Sequence, residues 1–167
     1  GRLVGCLSGS THHARWECGR FKDVFNGMVD AARAVLECEV ATRPLERVLL
    51  LDLDGDCAGG TAELIVDDPR LELVDVAVSD RDAYRPTGNA RLEIVTDPAR
   101  YLDAVVASLR SVAADRYAGQ LCIYSAGVDG CEQAERGLSG LTASVLAERD
   151  RLVFEWCLRH RVVGHER

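Results

Sequence analysis

His12 and His13, Asp52, Asp54 and Asp56, and Asp129 are the residues of this sequence whose types and spacing could do chemistry. Adjacent imidazoles can take and return protons near neutral pH, and carboxylates at alternate positions are hard oxygen donors for a divalent cation. A strand-end Asp also serves as a helix cap or turn former, and a His pair in a polar loop is commonly just exposed. What sets these residues apart is their joint arrangement: each group follows a short apolar run, so three separate loops carry imidazole or carboxylate.

The elements that must position them centre on Arg47 to Thr61, RVLLLDLDGDCAGGT. The run Val48 to Leu51 reads as a strand buried on both faces of a parallel sheet, with Asp52, Asp54 and Asp56 emerging at its carboxyl end. Before it, Leu3 to Leu7 reads as a strand delivering the polar segment Ser8 to His13. Phe21, Val24, Phe25, Met28, Ala32, Val35 and Leu36 recur at helical spacing, which predicts a helix ending near Cys38. After it come a short helix over Thr61 to Val66, a strand over Leu71 to Val78, and a loop over Asp80 to Leu92. Asp97 followed by Pro98 signals a helix start, Leu121 to Tyr124 a strand running into Ser125 to Asp129, and Thr142 the cap of a last helix. Val162 and Val163 could begin a further strand. This alternation predicts a three-layer α-β-α fold with a mostly parallel sheet, in a single domain over residues 1–167, with the strand-end loops at one edge.

Bulk properties bound the function. The 167 residues suffice for one core, and 47% hydrophobic with 28% charged residues is ordinary for a soluble globular protein. A net charge of -7 with scattered arginines leaves no basic stripe for nucleic acid. The 7 cysteines include no CxxC pair and several lie in apolar runs, so buried thiols in a reducing compartment are expected. With no signal peptide and no long apolar stretch, the expected location is the cytoplasm, with no membrane partner.

The sequence also resembles a known family. SerThrHisHisAla (10 to 14), PheAsn (25 to 26), LeuAspLeuAsp (51 to 54) followed by GlyGlyThr (59 to 61), AspAspProArg (67 to 70), SerAlaGlyValAsp (125 to 129) and GlyLeuThr (140 to 142) recur in this order in the histone deacetylase and acetylpolyamine amidohydrolase group of the arginase-deacetylase superfamily. The resemblance implies hydrolysis of N-acetylated amines, of the acetyl-lysine or acetylpolyamine class, by a metal-dependent mechanism. It implies that His12 and His13 handle protons, that Asp52 buttresses His12, and that Asp54 and Asp129 are two of three ligands to a zinc ion. Asp56 stands where the family keeps a histidine ligand, and an all-carboxylate set of Asp54, Asp56 and Asp129 favours Mg²⁺ or Mn²⁺ over Zn²⁺.

Further departures follow the same alignment. The carboxylate that would partner His13 falls at Gly59, leaving that ring without an orienting group. Asp75 and Ala77 stand where the family has Ser and His, and no tyrosine aligns with its carbonyl-polarising residue. The chain is expected to be a shortened form of the fold, incomplete at both ends, whose uncovered edges favour a homo-oligomer. Two other readings stand beside the hydrolase: a catalytically inactive deacetylase fold with a binding or assembly role, and a haloacid-dehalogenase-type Mg²⁺ phosphatase with Asp52 as nucleophile and Asp54 as acid. The phosphatase reading lacks a downstream lysine, since Lys22 is the only one in the chain.

Overall fold

The computed structural model describes residues 4–6, 11–38 and 44–166. Strands β1 (Val4–Gly5), β2 (Val48–Asp52), β3 (Leu71–Ala77), β4 (Ala90–Ile94), β5 (Leu121–Ser125) and β6 (Val163–Glu166) form one 6-stranded sheet in the order β1-β6-β5-β2-β3-β4, every pairing parallel. Helices α1 (Gly27–Leu36) and α2 (Gly59–Ile65) cover one face, and α3 (Tyr101–Ser111) and α4 (Ala143–Arg159) the other. β2 is central and wholly buried because both of its faces are covered. Val48 and Leu50 join Met28, Val29 and Ile65 in one core, while Leu49 and Leu51 join Val105, Leu109 and Val153 in the other.

From β2 the sheet grows outward through β3 to β4, and the chain then returns to the other side of β2 with β5 and β6. The carboxyl ends of β2 and β5 therefore flank the point where strand order reverses, the crevice in which open α/β sheets build their sites. The register aligns Asp52 with Asp75 of β3 and with Ser125 of β5, so the loops after all three strands leave the same edge.

The three-layer parallel architecture agrees with the sequence reading, and two elements depart from it. α1 begins at Gly27, with Asn26 as its cap, accepting from the Val29 N–H through its side chain at 3.2 Å. Phe21, Val24 and Phe25 continue the apolar spacing but lie exposed in the preceding loop. Residues 90–92, the end of the expected loop over Asp80 to Leu92, instead form edge strand β4 with residues 93 and 94. Only Ala90 is buried there, so the strand carries no strong alternation. Leu3 and residues 7–10 of the first strand and its polar segment lie outside the described residues. Among the described residues no helix is long and apolar enough to cross a membrane. Cys57, Cys122, Cys131 and Cys157 are buried thiols.

Candidate active site

The loop carrying the histidines is held against the start of α2. Thr61 N–H donates to the His12 carbonyl at 3.0 Å, and the Asn26 side chain reaches both that carbonyl, at 3.3 Å, and the Thr61 hydroxyl, at 3.0 Å. A Cβ on Gly60 would lie 2.6 Å from the His12 carbonyl oxygen and closer still to that of Ala14, so only glycine admits this approach. Asn26 thus caps α1 and fixes the histidine loop at once.

Within this frame His12 Nδ1 lies 2.8 Å from Asp52 Oδ2, and the other Asp52 oxygen accepts the Asp54 N–H at 3.1 Å. Burial opposes a charge on His12, but the Asp52 carboxylate, with Asp54 beyond it, outweighs burial and raises its pKa to about 10. His12 is therefore an imidazolium at neutral pH. His13 behaves oppositely: burial and the neighbouring His12 charge lower its pKa. The two rings meet Nε2 to Nε2 at 3.2 Å. The protonation states assign the proton between them to His12, donated to the free lone pair of His13.

The expectation that His13 lacks an orienting carboxylate is overturned. Asp82, on the loop between β3 and β4, places Oδ2 2.9 Å from His13 Nδ1. Its backbone is left-handed, with φ 58°, a conformation Asp tolerates. Arg15 Nη2 donates to Asp82 Oδ1 at 2.6 Å and Arg20 Nη1 lies 3.1 Å from it. Gly59 is the complement of this arrangement, because a Cβ there would fall on the Asp82 carbonyl oxygen and 2.8 Å from its carboxyl carbon. The carboxylate expected from position 59 enters from another loop, through the space that glycine leaves.

The three proposed ligands are not equivalent. Asp54 is buried beside His12, with 3.8 Å between Oδ1 and Nε2, and its pKa is raised to about 8 by burial first and then by the charges of Asp52 and Asp129. Asp129 accepts the Gly55 N–H at 2.8 Å, which ties the loop after β5 to the loop after β2. Asp56 keeps Oδ2 3.9 Å from His13 Nε2 but is engaged elsewhere: Oδ1 accepts from the Ser79 hydroxyl at 2.7 Å, and Oδ2 lies 3.3 Å from Arg81 Nη1. Among the described residues no three His, Cys, Asp or Glu side chains are grouped to hold a metal ion. Asp54 and Asp129 are hard oxygen donors of the kind a divalent cation takes, and the Asp129 charge is one cause of the raised Asp54 pKa. Asp56, paired with a guanidinium, does not complete the set.

Arg149, which the sequence reading did not single out, and Asp75 also shape the site. Arg149 of α4, 1% exposed, donates through Nη1 to the carbonyls of Leu53 at 3.0 Å and Gly127 at 2.7 Å, pinning together the loops that carry Asp54 and Asp129. The available signal was a charge on an apolar stripe, between Leu146 and Val153. Asp75 is buried next to Asp52, accepts the Ala58 N–H at 2.8 Å, and is held well above the ordinary carboxyl range by burial and the Asp52 charge. The Tyr84 hydroxyl, which feels the Asp75 charge, donates instead to the Arg91 carbonyl at 2.9 Å. Asp52 is 0% exposed with both oxygens engaged, which leaves none to attack phosphorus as a phosphatase nucleophile.

No family model matches the sequence, and no curated protein does. Solved structures do match. Over 94% of this chain the fold is similar to the acetylpolyamine aminohydrolase from Burkholderia pseudomallei, with a TM-score of 0.73 and 18% identity. Over 95% it is similar to the HDA15 HD domain, with a TM-score of 0.68 and 15% identity. The fold is therefore of the histone deacetylase and acetylpolyamine hydrolase type. The chain spans 48% of the length of each of these structures.

Proposed function

We propose that this protein is a deacetylase-like hydrolase of N-acylated amines, with His12 and His13 as its proton-handling pair. One observation carries the reading: two imidazoles, each aligned by its own buried carboxylate, meet at 3.2 Å beside Asp54 at the strand-order switch point. In this reading His13 is the general base. Its Nδ1–H is fixed on Asp82, and Nε2, once an entering water takes the place of the His12 N–H at its lone pair, takes the proton of that water as the water oxygen attacks the acyl carbon. The same nitrogen then returns the proton to the amine nitrogen as the C–N bond breaks. His12, kept charged by Asp52, faces the negative charge that develops during the attack. A divalent cation on Asp54 and Asp129 would supply polarisation of the carbonyl and acidification of the water.

A second reading, a catalytically silent deacetylase fold used for binding or assembly, is favoured by the pairing of Asp56 with Arg81 and Ser79. Turnover separates the two. Acetate release from an acetyl-lysine peptide and from an acetylated diamine is measured with Zn²⁺, Mn²⁺ or Mg²⁺ added. The hydrolase reading expects turnover that falls about 100-fold or more in His13→Asn, within the usual yield of general acid–base catalysis. Turnover unchanged in that variant removes the role of His13, and none with any metal favours the silent fold.

A further inference from the structure

The mouth of the site carries a feature that the proton-transfer chemistry does not use. Phe21 occupies a left-handed backbone conformation, φ 55°, which is unfavourable for an aromatic residue and is kept only where the surroundings impose it. A tight turn imposes it here: Arg20 and Asp23 exchange backbone hydrogen bonds of 3.0 and 2.9 Å, and the Asp23 carboxylate accepts the His13 N–H at 2.9 Å. The ring is thereby set against His13, with centroids 4.6 Å apart, and remains 49% exposed.

Two guanidiniums lie over this ring. The Arg81 guanidinium carbon is 3.7 Å from the ring centroid and that of Arg20 is 5.3 Å from it. Each is anchored at one nitrogen to a buried carboxylate, Arg81 to Asp56 at 3.3 Å and Arg20 to Asp82 at 3.1 Å. Their side chains are nevertheless 30% and 45% exposed. A guanidinium carries five N–H donors in a planar fork, so anchoring at Nη1 leaves further donors on each partly exposed side chain, over the Phe21 ring that packs on His13. Stacking and anchoring have already fixed both side chains, so little rotamer entropy is left to lose on binding. The anchoring carboxylates are buried at 9% and 1% side-chain exposure, and an entering ligand meets the guanidiniums first.

We infer that Arg20, Arg81 and Phe21 form an anion-binding subsite at the mouth, and that the acylated amine this site takes bears a carboxylate at its far end. A polyamine would bring an ammonium group against two guanidiniums instead. The acyl-amine part of this inference rests on the hydrolase reading; the anion subsite does not.

The test uses the full chain and two ligands of matched length, acetamidohexanoate and acetamidohexylamine, each with its amide nitrogen replaced by methylene so that neither is turned over. Affinity is read by calorimetry. The carboxylate ligand is expected to bind at least about tenfold more tightly than the ammonium ligand, as charge-assisted bidentate contacts allow. Arg81→Gln is expected to erase that preference, and Arg81→Lys to restore part of it, with the variants' folding checked by urea unfolding. Equal or tighter binding of the ammonium ligand overturns the inference, as does binding of neither ligand. So does a carboxylate affinity unchanged in both Arg81→Gln and Arg20→Gln. A carboxylate preference that persists while the parent amides release no acetate removes the hydrolase reading and leaves the anion subsite standing.

Discussion

Replacing Arg149 with Met tests whether the site's two acidic loops depend on one buried cation. The substitution keeps the volume and apolar stem of the side chain but removes the donors to the Leu53 and Gly127 carbonyls. Asp150 loses its Arg149 contact of 2.8 Å, yet it is 30% exposed and keeps the Tyr124 hydroxyl at 2.6 Å, so its share of the loss is small. Leaving a buried carbonyl unsatisfied costs about 1–3 kcal/mol, and relief of the guanidinium's own desolvation offsets part of the total. The net expectation is a destabilisation of about 2–4 kcal/mol, read as a lower urea midpoint at unchanged slope, or about 5–15 °C in Tm. Arg149→Lys, which keeps the charge and can reach one carbonyl, should lose roughly half as much. Amide exchange of Gly55, whose N–H rests on Asp129, should quicken in the Met variant beyond the global change. A loss under about 0.5 kcal/mol, with Gly55 exchange unaltered, would refute the pinning role.

Three other substitutions probe the site. Asp82→Asn keeps an oxygen that can accept the His13 Nδ1–H but removes the charge that raises the His13 pKa, so that pKa, already lowered by burial and by His12, should fall further in an NMR titration; an unchanged titration contradicts the contact. Gly59→Ala should displace Asp82 and reproduce the same fall in His13 pKa, and a variant that titrates like the wild type means the loop has room after all. Asp75 binds its proton more tightly folded than unfolded, so its contribution lowers stability as pH rises from the unfolded carboxyl pKa, about 3.9, towards its folded value. Asp75→Asn, which can still accept the Ala58 N–H, removes that slope. It should therefore gain stability over the wild type with rising pH in urea titrations, and a difference independent of pH would contradict the buried proton.

Much of the fold was legible because burial on two faces leaves a simple trace. β2 and β5 are short apolar runs with no alternation, since helices cover both sides, and their neighbours follow from the βαβ rhythm. β4 left no such trace, because an edge strand with only Ala90 buried has little side-chain pattern to read. The over-long α1 has the opposite cause: Phe21, which packs on His13, and the exposed Val24 and Phe25 precede the cap, and their spacing mimics a helical face. The cap Asn26 was the stronger local signal.

The site was partly legible for a comparable reason. Asp52 ends β2 and Asp129 follows β5, and the topology alone brings such positions to one edge, while His12 and His13 reach it through a loop held by Asn26 and Thr61. Asp82 is a left-handed loop residue whose reach to His13 depends on the absence of a side chain at Gly59. Nothing in the local spacing connects the two positions, so the missing carboxylate looked like a loss and is a relocation. Asp56 shows the converse. Its position suits a ligand, but Arg81, from a loop whose carbonyl accepts the Cys57 N–H at 2.9 Å, takes its carboxylate.

The central claim is that His12 and His13 hold opposite protonation states, a ring kept charged by Asp52 beside a neutral one fixed on Asp82. Nitrogen-15 chemical shifts of the two imidazoles, followed from pH 5 to pH 10 in the full chain, test it most directly. The account predicts that His12 stays doubly protonated until pH approaches about 10, while His13 is already neutral at pH 7 with its proton on Nδ1. Two rings titrating together near the ordinary histidine pKa of about 6.5 would contradict it.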